Sequence, residues 1–152
     1  MAGEARGVGG VVRGFVSGAG VLARWRRVWR RWGLMMDGTR VVAVVRHGKA
    51  EAESASGRDF DRELRPRGRR QAAFLASELG GAASDAGEAA GVGRVVSSAA
   101  ARALATAGAI AEAADVSVLT DERLLVGMPA SGALEVIAEH VSDSFGMVVI
   151  AG

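Results

Sequence analysis

The sequence predicts an α/β domain with a mainly parallel sheet, and three observations support this. From Thr39 onward, short β-branched runs alternate with Ala-rich stretches, the pattern of βαβ units. Pro66 suits a first helical turn and Gly80-Gly81 suits the exit from that helix, so a crossover helix of ordinary length fits between them. The apolar run Val41-Val42-Ala43-Val44-Val45 leads directly into Arg46-His47-Gly48, and in open α/β sheets ligands collect outside the carboxyl ends of the strands.

In chain order, strands are expected at Arg40 to Val45, Arg94 to Ser97, Val116 to Leu119 and Met147 to Ala151. Helices are expected at about Pro66 to Leu79, Ala99 to Ala114 and Ser131 to Val141. Residues 80 to 93, dominated by Gly, Ala and Ser, read as a loop, and no internal repeat is evident.

The chain has 152 residues, the size of one domain with a tail. Hydrophobic residues make up 49%, yet no stretch reaches the roughly 18 uncharged apolar residues of a membrane-spanning helix, so the chain reads as soluble and cytoplasmic. With no cysteine, a thiolate nucleophile, a disulfide framework and a zinc–thiolate site are excluded. Neither the two histidines nor the scattered acids show metal-ligand spacing, so no metal and no cofactor are expected.

The net charge of +2 conceals a division. Residues 1 to 36 hold seven arginines and one acid, a net of +6, which leaves −4 for the rest. All three tryptophans, Trp25, Trp29 and Trp32, lie in this Gly-, Val- and Arg-rich segment at spacings of four and three, and could line one helical face. One reading is a basic amphipathic helix, with residues 24 to 32 touching an anionic membrane or nucleic acid. The favoured one is a disordered or partly helical extension outside a domain at 37–152, with no nucleic-acid partner. A secretory signal fits poorly because the arginines follow the apolar stretch, and nothing long and apolar follows Arg30-Arg31.

Two strands end on sequence suited to phosphoryl chemistry: Val45 leads into Arg46-His47-Gly48, and Val95-Val96 into Ser97-Ser98, with Arg102 on the next helix. Phosphoryl transfer demands positive charge and oriented donors. Arg46 and Arg102 each offer a planar fork of N–H donors, and the helix beginning near Ala99 adds backbone amides. His47 can attack phosphorus if one ring nitrogen is unprotonated, a form that neighbouring arginines favour. Gly48 would let the backbone pass close to the anion, and Lys49 reads as solvated. His140, near the end of the last helix, reads as an ordinary helix-terminal histidine.

These residues resemble a family. Val44-Val45-Arg46-His47-Gly48-Lys49-Ala50-Glu51 resembles the opening motif of the histidine phosphatase superfamily, with a closer likeness to its small SixA-like phosphohistidine phosphatase branch. Asp61-Arg62-Glu63-Leu64-Arg65-Pro66-Arg67-Gly68 is similar to the family's R-x-L-x-x-x-G approach to its first helix. The segment Val95 to Ala107 resembles the one bearing the second phosphate-binding arginine, and Asp121-Glu122-Arg123-Leu124 resembles the acidic segment before the third helix. The likeness runs from about Thr39 to Gly152.

The resemblance implies a phosphoglycerate mutase-like, three-layer αβα fold. It implies an enzyme in which His47 is phosphorylated by a phosphohistidine protein substrate while Arg46 and Arg102 hold the phosphate. Glu122 would be a proton donor only in a phosphomonoesterase or mutase-like variant, the SixA-like branch managing without one. The family's second histidine would fall at residue 153, so the resemblance also implies a domain lacking its C-terminal part. A catalytically impaired member that binds phosphate or a partner is the alternative reading.

Overall fold

The computed structural model describes residues 42–86, 92–127, 129–142 and 147–151. The expected extension at residues 1–36 and the first two residues of the first expected strand lie outside the described residues. The elements run β1 (Val42–Val45), α1 (Pro66–Ala86), β2 (Val92–Ser97), α2 (Ala101–Ala113), β3 (Val118–Thr120), α3 (Ala130–Ser142) and β4 (Met147–Ala151). Short 3-10 turns occupy Asp59–Asp61 and Glu122–Leu124.

The four strands form one sheet in the order β1-β4-β2-β3, and every adjacent pair is parallel. Side-chain alternation sends the two faces of this sheet to different helices. Ala43, Val45 and Val95 pack with Leu75 and Leu79 of α1 and with Ala107, Ile110 and Ala111 of α2. Val42 and Val96 face the other way, onto Val136, Ile137 and Val141 of α3 and onto Leu124. The result is the expected three-layer arrangement, with both faces of the parallel sheet covered by crossover helices. Arg123 ties the second 3-10 turn to α3, donating to Asp121 Oδ2 at 2.6 Å and to Glu139 Oε2 at 2.7 Å.

Three expected boundaries are corrected. Helix α1 does not stop at Gly80-Gly81 but continues to Ala86, so residues 80 to 86 are helical rather than loop. Each glycine inside a helix costs only about 1 kcal/mol, and α1 packs along α2 and carries Ala82-Ala83 directly after the pair, which offsets it. Strand β2 begins at Val92, because its ladder with β4 starts at the Val92–Met147 pair. Strand β3 is Val118–Thr120 rather than Val116 to Leu119, because Val116 belongs to the exit of α2. There Asp115 takes a positive φ of 54°, its N–H reaches Glu112 O, and Val116 N–H reaches Ala111 O at 3.0 Å. That is a Schellman closure with aspartate in the usual glycine place.

The loop from β1 to α1 is pinned at both ends before it can wander. Ala50 and Leu64 form an antiparallel bridge, Glu51 N–H donates to Glu63 O, and Arg65 N–H donates to Lys49 O, each at 2.9 Å for the two named bonds. The start of α1 then meets the end of β1 backbone to backbone. A Cβ on Gly48 would come within 2.5 Å of the Gly68 carbonyl oxygen, and one on Gly68 would overlap the Lys49 carbonyl. Gly48 is therefore required by its contact with α1.

Gly68→Ala should destabilise the protein by about 1–3 kcal/mol, as overpacking does. Gly108→Ala, on α2 with nothing within 4 Å of its Cβ position, should be neutral or stabilise by up to about 1 kcal/mol. Urea denaturation of the two variants checks the contrast.

Candidate active site

Because β1, β4 and β2 are parallel, their carboxyl ends meet at one edge. Ala151 pairs with Val45 on one side and with Ser97 on the other. The chain leaving β1 carries His47 to this edge, and the chain leaving β2 carries Arg102 on the first turn of α2. The two sequence motifs, separated by 55 positions, meet directly: Arg102 Nε donates to His47 Nε2 at 3.2 Å.

The ring's other nitrogen faces its own neighbour's carbonyl, His47 Nδ1 to Gly48 O at 2.8 Å. A carbonyl only accepts and a guanidinium only donates, so these partners call for a neutral imidazole with its proton on Nδ1 and its lone pair on Nε2. Electrostatics agree. Burial of this half-buried ring lowers its pKa from the usual 6.5, the bond to Gly48 opposes that, and the charges of Arg102, Arg46 and Arg62 lower it further. The arginines thus act as expected, with desolvation as the larger cause.

Arg102 is buried, 3% exposed, which a guanidinium tolerates only when its donors are used. Its Nη1 donates to the Asp59 carbonyl at 2.6 Å and its Nη2 to Asp59 Oδ2 at 2.9 Å. Asp59 comes from the pinned loop, in its 3-10 turn, where it also pairs through Oδ1 with Arg62 at 2.7 Å. Arg62 donates in turn to the Glu51 carbonyl at 2.9 Å, so it braces the two arms of the loop against each other. Partial desolvation raises the Asp59 pKa, but the Arg102 hydrogen bond and the charges of Arg102 and Arg62 outweigh it and hold the carboxyl below its ordinary value.

Beneath these groups Thr106, wholly buried on α2, links the two walls. Its hydroxyl donates to Arg102 O at 2.9 Å and accepts from Gly48 N–H at 3.1 Å. Lys49 N–H donates to Gln71 Oε1 at 2.9 Å, while the Lys49 side chain is exposed as expected.

The remaining expected residues are placed differently. Arg46 is exposed on the loop after β1 and reaches His47 through its charge. Ser97 and Ser98 are buried, and the Ser97 hydroxyl donates to the Ser98 carbonyl at 2.9 Å, so it is spent on its own backbone. Glu122 is exposed at the start of its 3-10 turn and does not line the cleft beside Arg102. That cleft, about 270 Å³, is bounded by Asp59, Phe60, Ala100, Arg102, Leu125 and Val126. A second hollow, about 400 Å³, includes Glu51, Asp61 and Glu63 in its wall, which suits it poorly to an anion. His140 sits in the last turn of α3, its Nδ1 3.4 Å from Arg94 Nη1.

Sequence reasoning assigned no role to Asp59, Arg62 or Thr106. Arg62 and Thr106 both lie in segments that resemble the family. The cue for Thr106 was its position four residues after Arg102, one helical turn on, where a threonine hydroxyl can bond back to the i−4 carbonyl.

Comparison with known proteins fits this geometry. The profile of the histidine phosphatase superfamily (branch 1) matches residues 42–125, more than half of the chain. The chain belongs to this superfamily. No curated protein matches it in sequence. Among solved structures of the superfamily's fold it is similar to a protein described as phosphohistidine phosphatase SixA from Nakamurella multipartitia, with 27% identity and a TM-score of 0.60 over 76% of this chain and 60% of that one. A second such protein, from Agrobacterium tumefaciens, gives 24% identity and a TM-score of 0.60 over 73% of this chain and 66% of that one. A structure of the protein histidine phosphatase SixA with tungstate gives 19% identity and a TM-score of 0.60 over 73% and 67%. The chain therefore spans about 60–67% of the length of these histidine phosphatase relatives. Among its described residues no helix is long and apolar enough to cross a membrane.

The lowered His47 pKa fixes the sign of two measurements. The His47 ring proton should titrate by NMR with a midpoint below 6.5, and Arg102→Ala should raise it. The depressed value makes the fold favour neutral His47, so this contribution to stability is full above about pH 6.5 and is lost as pH falls through the folded value. Thr106→Val should cost about 1–3 kcal/mol in urea denaturation, because it strands the buried Gly48 N–H.

Proposed function

We propose that the chain is a phosphohistidine phosphatase that passes a phosphoryl group from a phosphorylated protein to His47 and then to water. The observation that carries this reading is the contact between His47 and Arg102 at the carboxyl edge of a parallel sheet, in which the partners of the ring suit a neutral imidazole with its Nε2 lone pair toward the donors of Arg102. An oriented, unprotonated nitrogen beside a buried guanidinium is the pairing that nucleophilic attack on phosphorus needs.

In the first step Nε2 forms a bond to phosphorus as the bond from phosphorus to the substrate's imidazole nitrogen breaks, and that imidazole takes a proton from solvent. Arg102 transfers its donors to the phosphoryl oxygens, which frees the Nε2 lone pair. Arg46, exposed beside the ring, adds a further donor fork from the solvent side. In the second step a water oxygen bonds to phosphorus, the P–Nε2 bond breaks, and inorganic phosphate leaves with His47 neutral again.

A phosphohistidine substrate fits the acid–base inventory. Asp59, the carboxylate in contact with Arg102, is held ionised by two arginines and is a poor proton donor. An imidazole leaving group departs more readily than an alkoxide and tolerates the lack of one. The SixA names of the structural relatives support the same substrate class.

Incubation with a ³²P-phosphohistidine protein followed by alkaline quenching should label His47. His47→Ala should abolish label and turnover, and Arg102→Ala should lower the rate by about 10²- to 10³-fold. A wild-type chain showing neither label nor turnover overturns the proposal.

A further inference from the structure

Two guanidinium groups converge on the Asp59 carboxylate. Oδ2 accepts from Arg102 Nη2 at 2.9 Å and Oδ1 from Arg62 Nη2 at 2.7 Å, so one negative charge answers two positive ones. Arg62 Nε is buried with no hydrogen-bond partner among the described residues, a donor still to be used. The same Arg102 side chain turns its Nε toward His47. A phosphoryl group seated at His47 calls on the fork that Asp59 now holds.

The carboxylate is not what keeps Arg102 in place. Arg102 lies on the first turn of α2, its backbone carbonyl is bonded by Thr106, and its Nη1 is held by the Asp59 main-chain oxygen at 2.6 Å. The Asp59 side chain itself is 63% exposed, at a loop turn whose backbone is pinned elsewhere, so it can swing into solvent without unravelling anything.

We propose that Asp59 is a resident competitor of the phosphoryl group: its carboxylate holds Arg102 and Arg62 until substrate arrives and is exchanged there for phosphoryl oxygens. The proposal rests on the reading of Arg102 as the phosphate-binding residue. A phosphoryl dianion displaces a carboxylate monoanion from paired arginines on charge, whereas a singly charged anion gains little by the exchange. Asp59 thus lowers apparent affinity for every anion by the fraction of time it occupies Arg102, and sets a threshold that favours the doubly charged group. Bond making at phosphorus does not involve it.

Calorimetric titration with inorganic phosphate tests this on the full chain as wild type, Asp59→Asn, Asp59→Ala and Arg102→Ala. Asp59→Asn should bind phosphate about two- to tenfold more tightly than wild type, the range expected for releasing ion pairs whose carboxylate is exposed. Asp59→Ala should bind at least as tightly as Asp59→Asn, and KM for the phosphohistidine protein should fall by a similar factor in both. Unchanged or weaker phosphate binding in both Asp59 variants, with Arg102→Ala weaker than wild type, overturns the competitor role and leaves Asp59 a positioning residue for Arg102. If Arg102→Ala binds phosphate as wild type does, the phosphate-site reading falls and this proposal falls with it.

Discussion

One buried hydroxyl holds the candidate site in register. Thr106 Oγ1 donates to the carbonyl of Arg102 one turn back along α2 and accepts the N–H of Gly48, which lies 58 positions away in sequence. His47 and Arg102 flank this bridge on its two sides, so the distance between imidazole and guanidinium is set by a fixed polar contact under both. A buried N–H such as that of Gly48 must find an acceptor, and this requirement ties the end of β1 to α2.

Around that bridge the site is arranged so that charge controls protonation. His47 is half-buried beside three arginines, and desolvation and charge together lower its pKa and favour the neutral imidazole. Its tautomer is set by the Gly48 carbonyl, which leaves the lone pair on the nitrogen that faces Arg102. The buried Arg102 guanidinium in turn is made tolerable by Asp59, supplied by a loop whose two ends are stitched together at Ala50–Leu64 and Lys49–Arg65. The loop owes its path to close packing, since the Gly48 and Gly68 backbones touch where no Cβ fits. Packing, hydrogen bonding and electrostatics at this edge are therefore one system.

Much of the architecture was legible in the alternation of β-branched and Ala-rich segments. The last strand, Met147–Ala151, fell where the apolar run placed it, and Pro66 opens α1 as its fixed φ predisposes it to do. The misread boundaries have separate physical causes. Gly80-Gly81 reads as a helix exit by local propensity, but packing along α2 carries α1 through it, and Val116 reads as strand although the Asp115 turn draws it into the helix exit.

By itself the sequence determined the chemistry on offer: a histidine beside an arginine at a strand end, a second arginine opening a later helix, and an order of motifs that resembles the histidine phosphatases. These are properties of residue type and spacing along the chain. Only the tertiary structure decided which groups meet. It brought Arg102 rather than Arg46 into hydrogen-bonding contact with His47, turned Ser97 and Ser98 inward, left Glu122 in solvent, and brought in Asp59, Arg62 and Thr106. The physical reason is that burial and hydrogen-bond pairing depend on which segments pack together, and the register of a parallel sheet sets that between residues far apart in sequence.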